Sequence, residues 1–203
     1  MDALRVRDVS RYSAVVLDNI VTKLKRHPVT KHHYSRYRDI DVDSNRESIV
    51  LVMESPHKDE FFYLDGKLQP ITPAQGKTGK CIQLSLKDKL NWLLAQSHST
   101  IGNGEYQVIL MNPIQWQASL YDLYRDASSM HSTLRDKIWK QLWELPEVRV
   151  EFINRLRMYN PILIINACTG RNYGDSLKSA VRKEIKKYYT MTMLPIGHPS
   201  SWK

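Results

Sequence analysis

The chain has 203 residues, a formal net charge of +9 and a sequence pI near 9.5. Hydrophobic residues make up 42% of it, which excludes a disordered chain, and the length suits one domain with a real core. No apolar run reaches bilayer-spanning length, and Cys81 and Cys168 are too few for a Cys₄ zinc site, an iron–sulfur cluster or a disulfide framework.

The first residues, Met1 to Ser13, carry charges where a signal peptide needs an apolar stretch, so a reducing cytoplasm is the expected compartment. The basic balance points first to a polyanionic partner such as DNA, although charge alone does not separate that from an ordinary basic protein. Residues 1–45 read as an N-terminal helix over Val9–Leu24 followed by a basic, aromatic linker, Lys25–Arg38, that either holds a nucleic-acid backbone or is simply solvated.

Four short apolar runs then read as buried parallel strands: Ser48–Glu54, Tyr106–Asn112, Ile162–Ala167 and Tyr189–Pro195. Helical patterns fill the gaps between them, at Lys80–Gln96, Ser132–Trp143, Val148–Tyr159 and Asp175–Lys187. Strands alternating with helices predict one α/β domain, a three-layer αβα sandwich around a four-stranded parallel sheet. Lys178, Arg182, Lys183, Lys186 and Lys187 read as a solvated face of the last helix rather than a DNA contact. The long segment His57–Lys80 has little periodicity and reads as a functional loop.

In such a sheet, ligands bind beyond the carboxyl ends of the strands. That rule selects the loops beginning at Glu54, Asn112, Cys168 and Ile196. The first strand runs into Glu54-Ser55-Pro56-His57, which sets a carboxylate at the mouth of the site, unless Glu54 caps a helix or pairs with one of the many basic residues. The second ends in Asn112, whose amide offers one acceptor and two donors, the inventory that matches a nucleobase edge; an Asx turn is the plainer reading. The last strand runs into Gly197-His198-Pro199-Ser200-Ser201-Trp202, which points a His into the same crevice or ends in an incidental tail. The Gly-rich stretch Pro73–Lys80 fails the spacing of an NTPase phosphate loop, but as a basic turn entering a helix it suits a DNA phosphate.

Together these motifs resemble the uracil-DNA glycosylase superfamily over nearly the whole chain. Glu54-Ser55-Pro56 is similar to the Gly-Glu-Ala-Pro motif of its iron–sulfur branch. Residues Pro73–Gly79 are similar to that branch's Pro-Phe-Val-Gly-Arg-x-Gly, Asn112 falls on the base-reading Asn, and His198-Pro199-Ser200 on the last motif. The iron–sulfur cysteines are absent, so the resemblance implies no cluster, no other cofactor and no metal.

The resemblance implies a DNA glycosylase that flips a base and hydrolyses its N-glycosidic bond, with Glu54 and His198 as catalytic residues. Asn112, Ser55, His57 and Ala74 would then line the base pocket. Gly76, Lys77, Thr78, Lys80, Ser200 and Ser201 would contact DNA, and Trp202 would wedge into the gap left by the flipped base. The branch's stacking aromatic falls on Ala74, which implies space for an enlarged pyrimidine such as the glucosylated hydroxymethylcytosine of phage DNA, hence antiviral defence. Uracil repair and a non-catalytic DNA- or nucleotide-binding module are the alternatives.

Overall fold

The computed structural model describes residues 19–25, 45–57, 60–64, 67–70, 74, 76–96, 101, 105–116, 118, 131–170, 174–190 and 193–202. Its centre is a five-stranded sheet. Strands β2 (Glu47–Val52), β5 (Glu105–Met111), β6 (Pro161–Asn166) and β7 (Met193–Pro195) are mutually parallel, and β1 (Asn19–Lys25) runs antiparallel on the edge, in the order β1-β5-β2-β6-β7. The four expected parallel strands are all present; the first three differ by one or two residues at their ends, while the last is confined to Met193–Pro195 instead of beginning at Tyr189.

Side chains alternate across a strand, so each face of this sheet needs its own cover. Ile49, Leu51, Val108, Leu110, Leu163 and Ile165 pack on one face against Ile82, Leu86, Leu90 and Leu93 of helix α1 (Lys77–Gln96). Val50, Val52, Ile109, Met111 and Ile164 pack on the other against α2 (His131–Glu144), α3 (Pro146–Tyr159) and α4 (Leu177–Ile185). Trp139 and Trp143 stack 5.1 Å apart there, with Phe152 edge-on to Trp143. The result is an α/β fold in three layers.

Several expectations need correction. The N-terminal segment is not helical where it is described: Asn19–Lys25 pairs with β5 from Asn19↔Leu110 to Lys25↔Glu105, with an irregularity between Ile20 and Thr22. Its β-branched run Ile20-Val21-Thr22 suits a strand, and pairing covers an edge of β5 that would otherwise expose a row of backbone groups. Residues 9–18, and the basic stretch 26–38, lie outside the described residues. The His57–Lys80 segment is not a plain loop, because its backbone forms a hairpin of β3 (Phe61–Leu64) and β4 (Lys67–Pro70). The dipeptide Asp65-Gly66 between apolar flanks was the available signal for a two-residue turn. Helix α1 begins one turn earlier than its apolar periodicity suggests, at Lys77.

Trp202 is also not a wedge. Its side chain is 7% exposed, belongs to the core on the α1 side of the sheet, and donates its indole N–H to Gly197 O at 2.9 Å. The turn Pro199–Ser201 packs against α1 and folds the indole inward. An apolar ring of this size is stabilised far more by the core than by water. Trp202→Ala should therefore lower the unfolding free energy by roughly 3–5 kcal/mol in urea titrations. An unchanged midpoint with a specific loss of DNA affinity would return this residue to the wedge role.

Candidate functional site

The parallel ladder brings the loops to one level. Val52 is paired with both Met111 and Asn166, and Asn166 with Pro195. Backbone bonds carry the ladder just past the strand ends, from Met53 N to Met111 O, Ala167 N to Val52 O and Ile196 N to Asn166 O. Residues one to three positions further along must then meet above the carboxyl edge of the sheet. Glu54, Asn112, Thr169 and His198 do so, lining one cavity of about 290 Å³. Ser55, Pro56, His57 and Glu60 form a wall of it. Met53, Gly76 just before α1, Lys77 and Thr78 in its first turn, Arg135 of α2, and Ser200 complete the lining.

Glu54 is 6% exposed. Burial pushes its carboxyl pKa up; Arg135 and hydrogen bonding from Thr169 oppose this, and Asp136 adds to it. Arg135 Nε lies 3.2 Å from Glu54 Oε1, while Nε and Nη2 grip Asp136 Oδ1 at 2.8 and 2.6 Å. One guanidinium is thus shared by two carboxylates. The Trp139 indole donates to Glu54 O at 3.0 Å, which fixes the backbone on which the carboxylate stands. Thr169 reaches Glu54 because the chain turns sharply behind it. Gly170 has φ +102°, and a Cβ there would sit 2.7 Å from that of Ser176, the residue whose side chain caps α4.

His198 is held from the other side. Its Nδ1 lies 2.9 Å from Ser200 Oγ and accepts the Ser200 N–H at 3.3 Å. Burial, with Arg135 and Lys178 adding to it, pushes the imidazole pKa down to about 4. The ring is therefore neutral at physiological pH, and an Nδ1 that accepts leaves the proton on Nε2. Ser201 Oγ ties the same turn by donating to His198 O at 2.7 Å.

Asn112 is 1% exposed, and among the described residues neither its amide oxygen nor its amide nitrogen has a hydrogen-bond partner. Arg155 of α3 donates to the carbonyls of Asn112 and Pro113 at 3.0 and 3.4 Å and so anchors its backbone. A buried amide left unmet costs about 1–3 kcal/mol, and such groups are rare unless something else meets them. Asn112 lines the cavity, which makes a ligand the natural partner.

Of the residues singled out in the sequence, Glu54, Ser55, His57, Asn112, Gly76, Lys77, Thr78, His198 and Ser200 line the cavity. Lys80 is exposed on α1 one turn in, Ser201 is exposed, and neither lines it. Ala74 does not line it either. It is 2% exposed within the core, in the left-handed region at φ 64°, and its N–H donates to Glu60 Oε1 at 2.9 Å. The position expected to free room for a large base is a core packing site.

Arg135, Thr169, Glu60 and Lys178 were not picked out as site residues. Thr169 follows the third parallel strand, on a loop the carboxyl-edge rule selects. Glu60 lies on the long segment after His57. Arg135 sits in an ordinary amphipathic helix and gives no signal. Lys178 is not on a solvated face: it is 5% exposed and its ammonium donates to Ile196 O at 2.5 Å, two residues before His198. Cys168, fully buried beside Glu54, has its thiol pKa raised well above the ordinary value by burial, which favours the neutral thiol. Among the described residues there is no group of three or more His, Cys, Asp or Glu placed to hold a metal ion, and no helix long and apolar enough to cross a membrane.

In comparisons with known proteins, no family model, no curated protein and no solved structure matches this chain.

The state of His198 is directly measurable. Its imidazole resonances should titrate with a midpoint near 4 rather than 6.5. Between those values the unfolded chain takes up a proton that the folded chain refuses, so stability should fall as pH drops from 6.5 towards 4. His198→Gln should lack that component of the acid sensitivity. A midpoint at the ordinary imidazole value would contradict the assignment.

Proposed function

We propose that this protein is a DNA glycosylase of the uracil-DNA glycosylase kind, which hydrolyses the N-glycosidic bond of a flipped base to leave an abasic site. The observation that carries this reading is the Asn112 amide, buried without partners in the wall of a cavity shared with Glu54 and His198. An edge-reading amide, a carboxylate and a neutral imidazole donor are what the chemistry asks for. Departure of the base builds positive charge at C1′ and negative charge on the ring. Glu54 opposes the first and takes the proton of the attacking water. The Nε2–H of His198 donates a hydrogen bond to the developing oxyanion at a pyrimidine O2. Asn112 pairs with the edge of the base.

Each device gains from seclusion. A base taken out of the stack fills the cavity and displaces water, which strengthens every interaction inside it. Burial raises the Glu54 pKa, which makes the carboxylate a better proton acceptor, while Arg135 opposes that rise. The N-terminus of α1, with Gly76, Lys77 and Thr78, opens on the cavity and has no acidic residue in its first turn; its positive end suits a DNA phosphate. Retention of both Glu54 and His198 favours an enzyme over a binding module on the same fold. Ala74 lies in the core and not in the cavity wall, so it frees no room there for an enlarged base.

The test is base release from oligonucleotides that carry single pyrimidine modifications, read as alkali-labile sites under single-turnover conditions. Glu54→Gln should lower release by roughly 10²-fold or more with DNA binding kept. His198→Ala should lower it by roughly 10²–10³. Wild-type rates in either variant would remove that residue from the mechanism.

Arg135→Met should act differently, because Arg135 lowers the Glu54 pKa. The acid limb of the pH–rate profile should move to higher pH, with the alkaline limb unchanged. An acid limb that stays in place would leave Arg135 with a packing role only.

A further inference from the structure

We infer that Ser200 is a positioning residue for the reaction: its hydroxyl donates to His198 Nδ1 and holds the imidazole in the tautomer that presents Nε2–H to the departing base. The inference rests on the glycosylase reading and gives the Ser200 hydroxyl a partner other than DNA.

Two groups of Ser200 converge on one nitrogen. Its backbone N–H reaches His198 Nδ1 at 3.3 Å, and its hydroxyl oxygen lies 2.9 Å from the same atom. A backbone N–H donates and never accepts, so Nδ1 carries a lone pair where the two meet. An imidazolium has no lone pair to offer, and the Nδ1–H tautomer has none at that nitrogen. The hydroxyl contact is thereby decided as well. Its single proton goes to Nδ1, because an Nδ1 without hydrogen has nothing to donate.

The turn holds both donors in place. The N–H groups of Ser201 and Trp202 close onto His198 O and Pro199 O at 2.9 and 3.0 Å. The Trp202 indole ties the turn to Gly197 O, and the Cys81 thiol of α1 reaches Ser200 O at 3.9 Å.

Two consequences follow for the chemistry. The other tautomer would set N–H against N–H at Nδ1 and turn a lone pair at Nε2 toward the developing oxyanion, where a donor is needed. Donation into Nδ1 also polarises the ring and strengthens the Nε2–H bond to that oxyanion. Ser200 lines the cavity, yet its hydroxyl proton is spent on His198, so the hydroxyl offers lone pairs to a ligand. A phosphate oxygen, itself an acceptor, finds no hydroxyl donor there.

The test compares wild type, Ser200→Ala and Ser200→Thr by two readouts. The first is the ¹⁵N and ¹H spectrum of the His198 imidazole, which distinguishes the tautomers and reports hydrogen bonding at Nδ1. The second is single-turnover release from oligonucleotides carrying one uracil or one 5-hydroxymethylcytosine, with DNA affinity measured alongside. Wild type should show the Nε2–H tautomer. Ser200→Ala should move the Nδ1 resonance toward its unbonded position and lower release at saturating protein roughly tenfold, with DNA affinity kept. Ser200→Thr, which keeps the hydroxyl, should restore both. The Nδ1–H tautomer in wild type, or an Nδ1 resonance that Ser200→Ala leaves in place, overturns the inference whatever the activity. So does a Ser200→Ala variant that loses DNA affinity and keeps the wild-type rate at saturation, since that puts the hydroxyl on the DNA. Expected spectra from a wild type that releases neither base remove the glycosylase reading, and the catalytic role of Ser200 with it.

Discussion

A carboxylate is kept inside this protein, and much of the site is built around holding it. An ionised group out of water needs a partner and hydrogen bonds to stay charged. Glu54 has Arg135 at 3.2 Å and Thr169 bonded to it, and its own carbonyl is pinned by Trp139. Those partners stand on different elements: Arg135 and Trp139 on α2, and Thr169 on the loop after β6. The ion pair thus fixes how α2 and the β6 loop meet the end of β2.

The opposite wall follows a complementary logic. His198 is kept neutral by burial and by the Arg135 cation, the same cation that lowers the Glu54 pKa against the larger effect of burial. Arg135 thereby separates the two groups, favouring an anion on one side and an uncharged donor on the other. Divergent states in neighbouring titratable groups are the usual sign of divided acid and base roles. Lys178 contributes structurally, tying α4 to Ile196 and so setting where the His198 loop leaves β7. A positive group buried there also discourages a second charge on the imidazole.

The parallel strands were legible because burial on both faces leaves a continuous apolar run, a signal that does not depend on neighbours. Glu54, Asn112 and His198 were legible for a related reason. A polar residue directly after such a run must lie at the carboxyl edge, and three of them there must lie close together. Strand β1 was not legible, since its residues pattern as well for a helix as for a strand and only the open edge of β5 decides between them. Trp202 and Ala74 were misread because motif position says nothing of which way a side chain turns; the Pro199–Ser201 turn and the positive φ of Ala74 direct both into the core.

The amino-acid sequence by itself determined the α/β class, the order of the parallel strands along the chain and the residues standing at their ends, because strand periodicity and length are local properties. Only the tertiary structure decided which polar side chains face those residues. Arg135, Thr169, Glu60 and Lys178 come from a helix face, two loops and a helix start that are distant in sequence from at least one partner each. Their pairing depends on how α2 and α4 pack on the sheet and on how the chain after Glu54 folds back over its end. That packing is set by the sum of many apolar contacts, none of which marks the charged residue it delivers to the cavity.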